Sequence, residues 1–515
     1  MKRILSVILL FTLLACLCCS AAAENTAPEK FTNADGYVYI LKEDGTAEIK
    51  GYTGKEKKLT IPSELDGHPV TSIGYRAFYE NNQLTEVVLP DTLKVLGIQA
   101  FAWCEKLQSV TLPEGLETID TNAFYYCKKL TKINIPASVT TVMEGVFAGC
   151  TSLKEIALAP DHPFLEVADG VLFNQEASTL LWYPAIRKGK EYTVPDGTKC
   201  IAYQSFYDSP LEKIILPVSI EELPGGAFEN CTKLKTVNIP PKVTSVDGIF
   251  KACDKLEAIN VDEGNEVFES TDGVLFDKTA HSLVKYPSAK KGKTYEVPEG
   301  TQAIMPNAFE YTGLNGVTIP GSVRLIGNNA FLFCKSLKEV NLSEGVEELG
   351  DFAFQWCSGL AKITLPASLV KTSRNPFSSC EKLSEIVIAE GNSALEVVSG
   401  CFVRKEDMAI VCCPQALKAK KLEFPTGIRI VEGSAFAYCG SIEEVTFGDG
   451  LEEIRVSAFR KCKKLKRVVL PASVTYIDRS AFDLNDVKKT VFVVTPGSYA
   501  ENFCTAYELT TEPAE

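Results

Sequence analysis

The stretch that decides the fold runs from Leu107 to Cys127 and reads LQSVTLPEGLETIDTNAFYYC. Its first six residues alternate apolar and polar side chains, the pattern of a short strand with one buried face. Pro113 ends that strand because proline cannot donate to a sheet ladder. Leu116 and Ile119 then return apolar groups to the interior, and Phe124 fills the core from a single helical turn. The stretch therefore predicts one turn of a coil that needs neighbours to bury its apolar side.

This unit recurs along most of the chain, each time with a Phe in the frame Ala-Phe-x-x-Cys or a close copy of it. The fourteen Phe residues lie at positions 78, 101, 124, 147, 206, 228, 250, 309, 331, 354, 377, 436, 459 and 482. The step is 22 or 23 residues within each group and 59 residues at the three gaps between groups. Such a period is typical of a leucine-rich-repeat solenoid. We expect a strand-dominated α/β solenoid, a curved right-handed stack of about 17 coils with three inserted β-hairpins and terminal caps.

The three 59-residue gaps carry a repeat of their own. Asp169-Gly-Val-Leu-Phe173 recurs as Asp272-Gly-Val-Leu-Phe276, and a weaker copy follows at 399–403. Two apolar runs separated by a polar turn predict a β-hairpin in each gap, at 160–195, 262–298 and 390–425. The chain then divides into a signal peptide at 1–23, a cap hairpin at 24–58, the solenoid at 59–495 and a C-terminal cap and tail at 496–515.

The N-terminus has the features of an export signal. Lys2 and Arg3 precede an apolar run from 4 to 14, which is too short to span a bilayer. Ala23 closes a run of small residues before Glu24, which suits cleavage by signal peptidase. Cys16 offers an alternative, because the preceding Leu-Leu-Ala resembles a lipoprotein box with Cys16 as the lipid-bearing residue. We predict an extracellular or cell-surface protein, freely secreted or lipid-anchored, without a later transmembrane stretch.

The acidic balance of the chain restricts its partners. The formal net charge is −13. An excess of carboxylates opposes attraction to nucleic acid and to anionic lipid, and it favours solubility. We therefore expect no nucleic-acid partner, and contact with a membrane only through a lipid on Cys16.

The chain has 18 Cys, which in an exported protein usually indicates disulfides. Ten of them follow a repeat Phe by three residues: Cys104, Cys127, Cys150, Cys231, Cys253, Cys334, Cys357, Cys380, Cys439 and Cys462. The other four repeats carry Asn81, Ser209, Thr312 and Asn485 at that position. This mixture indicates a small buried slot with a weak hydrogen-bonding role. Stacked turns also hold equivalent Cβ atoms about 4.8 Å apart, further than the roughly 3.8 Å of a disulfide. We predict a column of reduced, buried thiols.

Three Cys residues fall outside this column. Cys401, Cys412 and Cys413 lie in the third predicted hairpin. If the protein carries a disulfide, these residues are where the sequence places it.

The repeat unit also resembles a known family. Leu-x-x-Val-x-Leu-Pro-x-x-Leu-x-x-Ile-x-x-x-Ala-Phe-x-x-Cys is similar to the leucine-rich repeat of the Treponema pallidum type, found in BspA-like bacterial surface antigens. The resemblance spans residues 59 to 495, and the hairpins resemble an insertion common in such proteins. It implies an exported or surface protein that binds host matrix proteins, other cells or glycans, with no shared catalytic residues. The alternative is a structural or shielding surface protein without a specific ligand.

A second column of the repeat, the residue just before the Cys slot, supplies candidate binding residues. It is aromatic at Trp103, Tyr126, Tyr311, Phe333, Trp356 and Tyr438. These rings cluster into an early track and a later one. Rings one turn apart could stack on successive sugars or receive the side chains of a partner. The same rings could instead shield the helical turn and pack against each other, and the sequence leaves both interpretations open.

The outward-facing residues of the strands form another candidate surface. The row before the central apolar residue reads Glu86, Ser109, Lys132, Glu155, Lys213, Thr236, Glu339, Lys362, Glu385, Glu444 and Arg467. Charges of alternating sign avoid repulsion between turns, which favours a solvated face. A long, shallow protein-binding surface is the functional alternative, although this row has no aromatic anchors.

Catalytic and metal-binding signatures are missing from the sequence. His68, His162 and His281 lie far apart, and the chain beyond residue 23 has no Cys-x-x-Cys pair. It also has no Gly-x-Ser-x-Gly elbow and no phosphate-binding loop. Carboxylates are numerous, but a thin solenoid offers few deep pockets in which a carboxylate pair could act. We expect no enzymatic activity, cofactor or metal, and a monomer that binds an extracellular protein or a glycan.

Overall fold

The computed structural model describes residues 28–175, 178–372, 374–483, 485 and 489–514. The predicted signal peptide at 1–23 and the candidate lipidation residue Cys16 lie outside the described residues. The predicted architecture is confirmed: the described chain forms a strand-dominated solenoid of about 20 turns with almost no helix. The stack is somewhat longer than the predicted 17 turns because strands near both ends continue it. In the described part, the helical segments are all too short or too polar to cross a membrane.

Each turn contributes a longer strand to one face of the solenoid, here called the long-strand row. Its members are Lys58–Thr60, Glu86–Val88, Ser109–Thr111, Lys132–Ile135, Glu155–Leu158, Glu191–Thr193, Lys213–Ile215, Thr236–Ile239, Ala258–Val261, Thr294–Glu296, Gly316–Ile319, Glu339–Leu342, Lys362–Leu365, Glu385–Ile388, Lys421–Phe424, Glu444–Phe447, Arg467–Leu470, Val491–Val494 and Thr510–Pro513. Within each sheet, neighbouring strands pair in parallel with equivalent residues in register, as Ile133 does with Ile156. The ladder is interrupted at each gap and between Glu339–Leu342 and Lys362–Leu365. The alternate apolar side chains point into the interior, where the buried apolar residues of the described chain form four successive clusters.

A second, shorter strand follows in most turns and forms the short-strand row. Its members are His68–Ile73, Val95–Leu96, Thr118–Ile119, Thr141–Val142, Cys200–Ile201, Ala303–Ile304, Leu325–Ile326, Glu348–Leu349, Lys371–Thr372, Ile430–Val431, Glu453–Ile454 and Tyr476–Ile477. Its ladder is also parallel, and each two-residue strand buries its second residue. The row is interrupted at each 59-residue gap, where one sheet ends and another begins.

The repeated Phe side chains form a stack inside the solenoid. Phe309, Phe331 and Phe354 follow one another with ring centroids 4.7 and 4.9 Å apart and nearly parallel planes. All three rings are fully buried. In the first two gaps Tyr183 and Tyr286 take the same place, and each stacks on the next repeat Phe at 5.2 Å. The stack is therefore resumed within the gap before the next repeat begins.

The Cys column closes hydrogen bonds between turns. The thiol of Cys357 donates to the carbonyl oxygen of Phe331 in the preceding turn at 3.1 Å. Asn485 makes the same bond with its side-chain amide, to the carbonyl of Phe459 at 2.7 Å. A thiol and a side-chain amide can therefore occupy the same slot and make the same bond. The column is confirmed as free, buried thiols, and burial raises the pKa of Cys357 well above its ordinary value.

Each gap folds as a three-stranded antiparallel meander. The strands are Leu165–Ala168, Val171–Asn174 and Thr179–Trp182 in the first, Phe268–Thr271, Val274–Asp277 and Ser282–Lys285 in the second, and Leu395–Val398, Cys401–Arg404 and Ala409–Cys412 in the third. The last strand of each meander pairs in parallel with the next short strand, which returns the chain to the stack. Cys401, Cys412 and Cys413 are free and buried in the third meander.

Both ends of the described chain cover the last turns. At the start, Phe31–Thr32, Tyr37–Leu41 and Ala47–Tyr52 form an antiparallel sheet, and a small strand Glu64–Leu65 pairs with His68–Ile73. At the end, the helix Tyr499–Ala506 begins after Ser498, whose hydroxyl accepts the backbone N–H of Glu501 at 3.2 Å. This is the bond that an N-terminal cap provides to an otherwise unpaired donor.

Replacing Phe354 by Ala is expected to lower the unfolding free energy by about 3–5 kcal/mol, because it empties a core position. The ring stacks on both Phe331 and Phe377. Hydrogen exchange read by mass spectrometry should show lost protection concentrated in these turns, since each turn contacts only its neighbours. Trp356→Ala, in the same turn but half-buried, is the control and should lose less. Equal losses for the two variants would contradict a core role for the repeat Phe.

The chain beginning at Glu24 should expose at most one reactive thiol in its native state. Of the fifteen described Cys residues, Cys200 alone is not buried. Burial in the others keeps the reactive thiolate form scarce. A colorimetric thiol titration should therefore find one equivalent, abolished by Cys200→Ser, and fifteen after denaturation. Two fewer equivalents after denaturation would reveal a disulfide, with Cys401, Cys412 and Cys413 the first residues to test.

Candidate functional site

The residue before the Cys slot has a left-handed backbone in every repeat where it is described. The residues are Glu80, Trp103, Tyr126, Gly149, Asp208, Asn230, Ala252, Tyr311, Phe333, Trp356, Ser379, Tyr438 and Lys461. Their φ angles lie between +57° and +74°. The set contains no β-branched residue, as expected, because a branched Cβ clashes most in this conformation. The sharp turn directs this side chain away from the core, so the six aromatic residues lie outside the Phe stack.

Four of the six rings form one continuous surface feature, the C-terminal track. Tyr311 stacks on Phe333 with centroids 5.0 Å apart, and Phe333 stacks on Trp356 at 5.6 Å. Trp356 then contacts the edge of Tyr438 at 6.2 Å. The repeat between these last two carries the small, buried Ser379 at the equivalent position. A small residue there leaves room for the ring of Trp356 to reach the far side of the third gap.

The other two residues belong to an N-terminal track. Trp103 stacks closely on Tyr126, with centroids 4.1 Å apart. Tyr126 extends across the next repeat, where Gly149 occupies the equivalent position, and its hydroxyl shares a 3.1 Å hydrogen bond with that of Tyr207. Tyr125 completes the group, with its ring 5.9 Å from those of Trp103 and Tyr207. Burial and the bonds to the other two tyrosines raise the pKa of Tyr207, so its hydroxyl stays neutral.

The structure thus brings the six candidate residues together in two tracks and adds Tyr125 and Tyr207, which the sequence analysis missed. Both added residues directly follow a repeat Phe, at 124 and 206. Reading that column for aromatic residues would have found them. Their pairing with Tyr126 is not readable from the period, because the contact crosses a gap.

In the tracks, most ring faces are covered by a neighbouring ring. Tyr311 and Phe333 are inclined by only 4°, and Phe333 and Trp356 by 11°. What solvent meets is therefore mainly ring edges, together with Tyr311, which is 44% exposed. This geometry favours packing of the rings against each other, and it leaves the first ring of the C-terminal track as the most open one.

Lysine side chains lie along both tracks. The ammonium of Lys128 is 4.9 Å from the centroid of Tyr126, and that of Lys461 is 4.9 Å from the centroid of Tyr438. Lys335 lies 5.7 Å from Phe333. A cation near a ring face is attracted by the ring quadrupole. Each track therefore combines hydrogen-bond donors with Tyr and Trp rings, and these two aromatic residues are enriched in interface hot spots.

The outer surface of the long-strand row is covered by ion pairs between adjacent turns. Lys132 pairs with Glu155 at 2.8 Å and Lys362 with Glu385 at 3.0 Å. Glu443 lies between two lysines of the neighbouring turns, and its hydrogen bonds to them lower its pKa to about 2. Exposed pairs of this kind contribute little stability. Their regular neutralisation favours the interpretation of this row as a solvated face.

The histidines serve structural roles where their contacts are defined. His162 is buried, and its Nδ1 accepts the backbone N–H of Phe164 at 3.3 Å and of Leu165 at 3.1 Å, so Nε2 donates to the carbonyl of Pro136. Asn265 makes the equivalent hydrogen bonds at the start of the second meander. Burial lowers the pKa of His162, which keeps it neutral. Among the described residues, no three His, Cys, Asp or Glu side chains are grouped to hold a metal ion.

Comparison with known proteins finds a match to one family model. The model is described as a BspA type leucine rich repeat region in six copies, and it matches residues 71–175, 185–274, 302–417 and 407–504. No curated protein matches the chain. The match follows the Phe-bearing turns through all four groups of repeats.

Solved structures of bacterial repeat proteins are similar to this chain. A leucine rich cell surface protein from Faecalibacterium prausnitzii is 24% identical, with 95% of this chain and 99% of that chain covered and a TM-score of 0.42. A leucine-rich repeat protein from Eubacterium ventriosum is 20% identical, with 90% and 96% covered and a TM-score of 0.38. A leucine rich repeat protein of T. pallidum is 19% identical, with 64% and 90% covered and a TM-score of 0.20.

A side chain added at Gly149 is expected to displace the ring of Tyr126. A Cβ at this position would lie 2.4 Å from Cδ2 of Tyr126, and the backbone has φ of +74°. Gly149→Ala should therefore lower the unfolding free energy by about 1–3 kcal/mol. Gly149→Asn separates the two causes, because Asn tolerates left-handed backbone better than Ala. Similar losses in denaturant unfolding are expected, whereas a nearly neutral Asn variant would show that the ring moves aside freely.

Proposed function

This chain belongs to the BspA-type leucine-rich-repeat family, since the family model matches more than half of it, and from that premise we propose an adhesin-like function. The resemblance indicated by the repeat unit is confirmed by the same match. Members of this family are bacterial cell-surface proteins, and their solenoid is generally a non-catalytic binding scaffold. In this proposal the protein is secreted or surface-attached, and it recognises host matrix proteins, other cells or glycans through its aromatic tracks.

The observation that supports this proposal is the placement of large rings on a strained backbone position. A left-handed conformation costs an L-residue roughly 1–2 kcal/mol, and Gly or Asn would reduce that cost. Gly149 and Asn230 are such economical choices in this chain. Trp103 and Trp356 are not, and both are only half-buried, unlike the repeat Phe residues. Strained residues that stability alone does not require are a reason to expect function.

The mode of recognition follows from the exposure of the rings. Because ring faces are stacked, a partner would meet ring edges, tyrosine hydroxyls and the flanking lysines. Tyr311 is the exception, because it lies at one end of the C-terminal track. Among the described aromatic side chains, its one ring contact is with Phe333. Its outer face can therefore receive an apolar side chain or one face of a sugar. Tyr and Trp are the residues that most often dominate binding energy at interfaces.

Export completes the proposal. Residues 1–23 would direct secretion, with Cys16 as the attachment point if the protein is lipid-anchored. The net charge of −13 suits an extracellular monomer that avoids nucleic acid and anionic lipid. We propose no catalysis and no cofactor. A shielding role without a specific ligand is the alternative that the binding experiment must distinguish.

The test is a binding screen of the chain from Glu24 onward against immobilised fibronectin, fibrinogen, mucin and a glycan array. Saturable binding is expected. The double variant Trp103→Ala/Trp356→Ala should weaken it by about tenfold or more, because interface hot spots of this type contribute at least that much. The two single variants then assign the binding to one track or the other.

Asn230→Ala is the matched control, since it changes the same backbone position, at φ +62°, outside both tracks. It should leave binding unchanged, and the unfolding curves of all variants should establish that they are folded. Binding to the protein probes that is retained in the double tryptophan variant would move the site to the long-strand row. Absence of binding to every probe would support the shielding alternative and reject the adhesin.

A further inference from the structure

A cavity of about 640 Å³ lies beside the second meander. It is bounded by residues 244–251 of the preceding repeat, by the last strand of the meander, Ser282–Lys285, and by residues 305–310 of the following repeat. None of the six candidate track residues lines it. The short-strand row explains why a cavity forms here: residues 244–246 make no strand, and pairing resumes only with the meander.

The other two meanders show what fills the equivalent place elsewhere. The matching stretches are Leu181-Trp-Tyr-Pro184, Val284-Lys-Tyr-Pro287 and Val411-Cys-Cys-Pro414. Trp182 is 5% exposed and packs against Phe147 at 6.0 Å, and Cys412 is also buried. The second meander places Lys285 at this position. In the next turn, Glu310 follows its repeat Phe, and Tyr207 holds the equivalent position after the first meander.

Lys285 and Glu310 form a loose ion pair in this cavity. The ammonium donates to the carbonyl of Asn307 at 2.8 Å, while the nearest carboxylate oxygen of Glu310 is 3.9 Å away, too far for a hydrogen bond. The two side chains are only 14% and 16% exposed. Burial lowers the pKa of Lys285 and raises that of Glu310, and each charge partly opposes the shift of the other. An ammonium has three donors, so this pair retains hydrogen-bonding capacity toward the cavity.

A second polar group points to a ligand independently. Ser282 is one of the residues that line the cavity, it is 1% exposed, and its hydroxyl has no hydrogen-bond partner among the described residues. Buried polar groups without partners are rare in folded proteins. The neighbouring Asp277, by contrast, is satisfied, because its carboxylate accepts the backbone N–H groups of Thr279 and Ala280 at 2.8 Å.

We propose that this cavity binds a neutral, hydroxyl-rich ring of the size of one sugar residue. A charged ligand would leave one member of the Lys285–Glu310 pair uncompensated, whereas a neutral ligand keeps the pair balanced. A hydroxyl group both donates and accepts, so adjacent hydroxyls can bridge the ammonium and the carboxylate and also reach Ser282. The rings of Phe250 and Phe268 line the cavity and suit the apolar face of such a ring.

The dimensions agree with this ligand class, since cavities that bind small molecules occupy about 300–1,000 Å³. Two sources supply the same chemistry, a free monosaccharide or cyclic polyol and the terminal residue of a glycan. This inference does not rest on the aromatic tracks, and the double variant Trp103→Ala/Trp356→Ala should retain binding in the cavity.

Saturation-transfer NMR of the full chain should test the proposal with individual hexoses and inositol, with acetate and methylammonium as charged comparisons. Saturable binding of at least one neutral ring is expected. Ser282→Ala should weaken it by about fivefold or more, the effect of one lost hydrogen bond, without lowering the unfolding temperature. Ser205→Ala is the matched control, because it also removes a buried hydroxyl without a partner but lies outside the cavity.

The double variant K285W/E310Y installs the residues found at the equivalent positions in and after the first meander, and it should abolish binding. The free sugar, its methyl glycoside and an oligosaccharide ending in the same sugar then distinguish the sources. Equal binding of these three compounds assigns a glycan terminus, and binding of the free sugar alone assigns a small-molecule site. The proposal is overturned if no neutral ring binds, if Ser282→Ala and Ser205→Ala bind alike, or if either charged compound is preferred.

Discussion

The stacked Phe rings set the spacing to which the rest of each turn conforms. Parallel strands lie about 4.8 Å apart, and rings stacked at 4.7 to 4.9 Å, as from 309 to 354, match that ladder. The match loosens toward each gap. Ring separations widen to 6.0 Å between Phe124 and Phe147, and to 6.2 Å between Phe228 and Phe250. The turns therefore fan apart on the Phe side just before a meander begins, which is where the short-strand row also stops.

Within a group of repeats, two further constraints leave little freedom to the inward side chains. The carbonyl of each Phe needs a donor, and the thiol of the next Cys, as Cys357 provides for Phe331, is small enough to reach it without disturbing the stack. The turn between Phe and Cys requires a left-handed residue. Its side chain lies outside the Phe stack, so it can vary from Gly149 to Trp356 while the backbone stays the same.

The parts of the fold that repeat were predictable from sequence because each reflects a contact between equivalent residues one turn apart. The Phe stack, the thiol column and the strand order are of this kind. Contacts across a gap are not, so neither the approach of Tyr126 to Tyr207 nor that of Trp356 to Tyr438 follows from the period. The first strand of each meander was missed because a Glu interrupts its apolar run, as Glu166 does between Leu165 and Val167. Lys285 resembled an ordinary surface lysine, since its burial depends on the interruption of the row beside it.

At the three junctions, where a group of repeats meets a meander, the stack is interrupted in the same way but different side chains occupy the space. At the first, Trp182 fills the widened space against Phe147. At the third, Cys412 is buried and Arg404 pairs with the buried Glu432 at 2.7 Å. At the second, Lys285 and Glu310 meet without closing the space. A residue inside a group of repeats packs between two similar turns. A polar side chain there would meet an apolar core on both sides. A junction residue faces a meander on one side, and that asymmetry lets a charge be buried where the repeating core would exclude it.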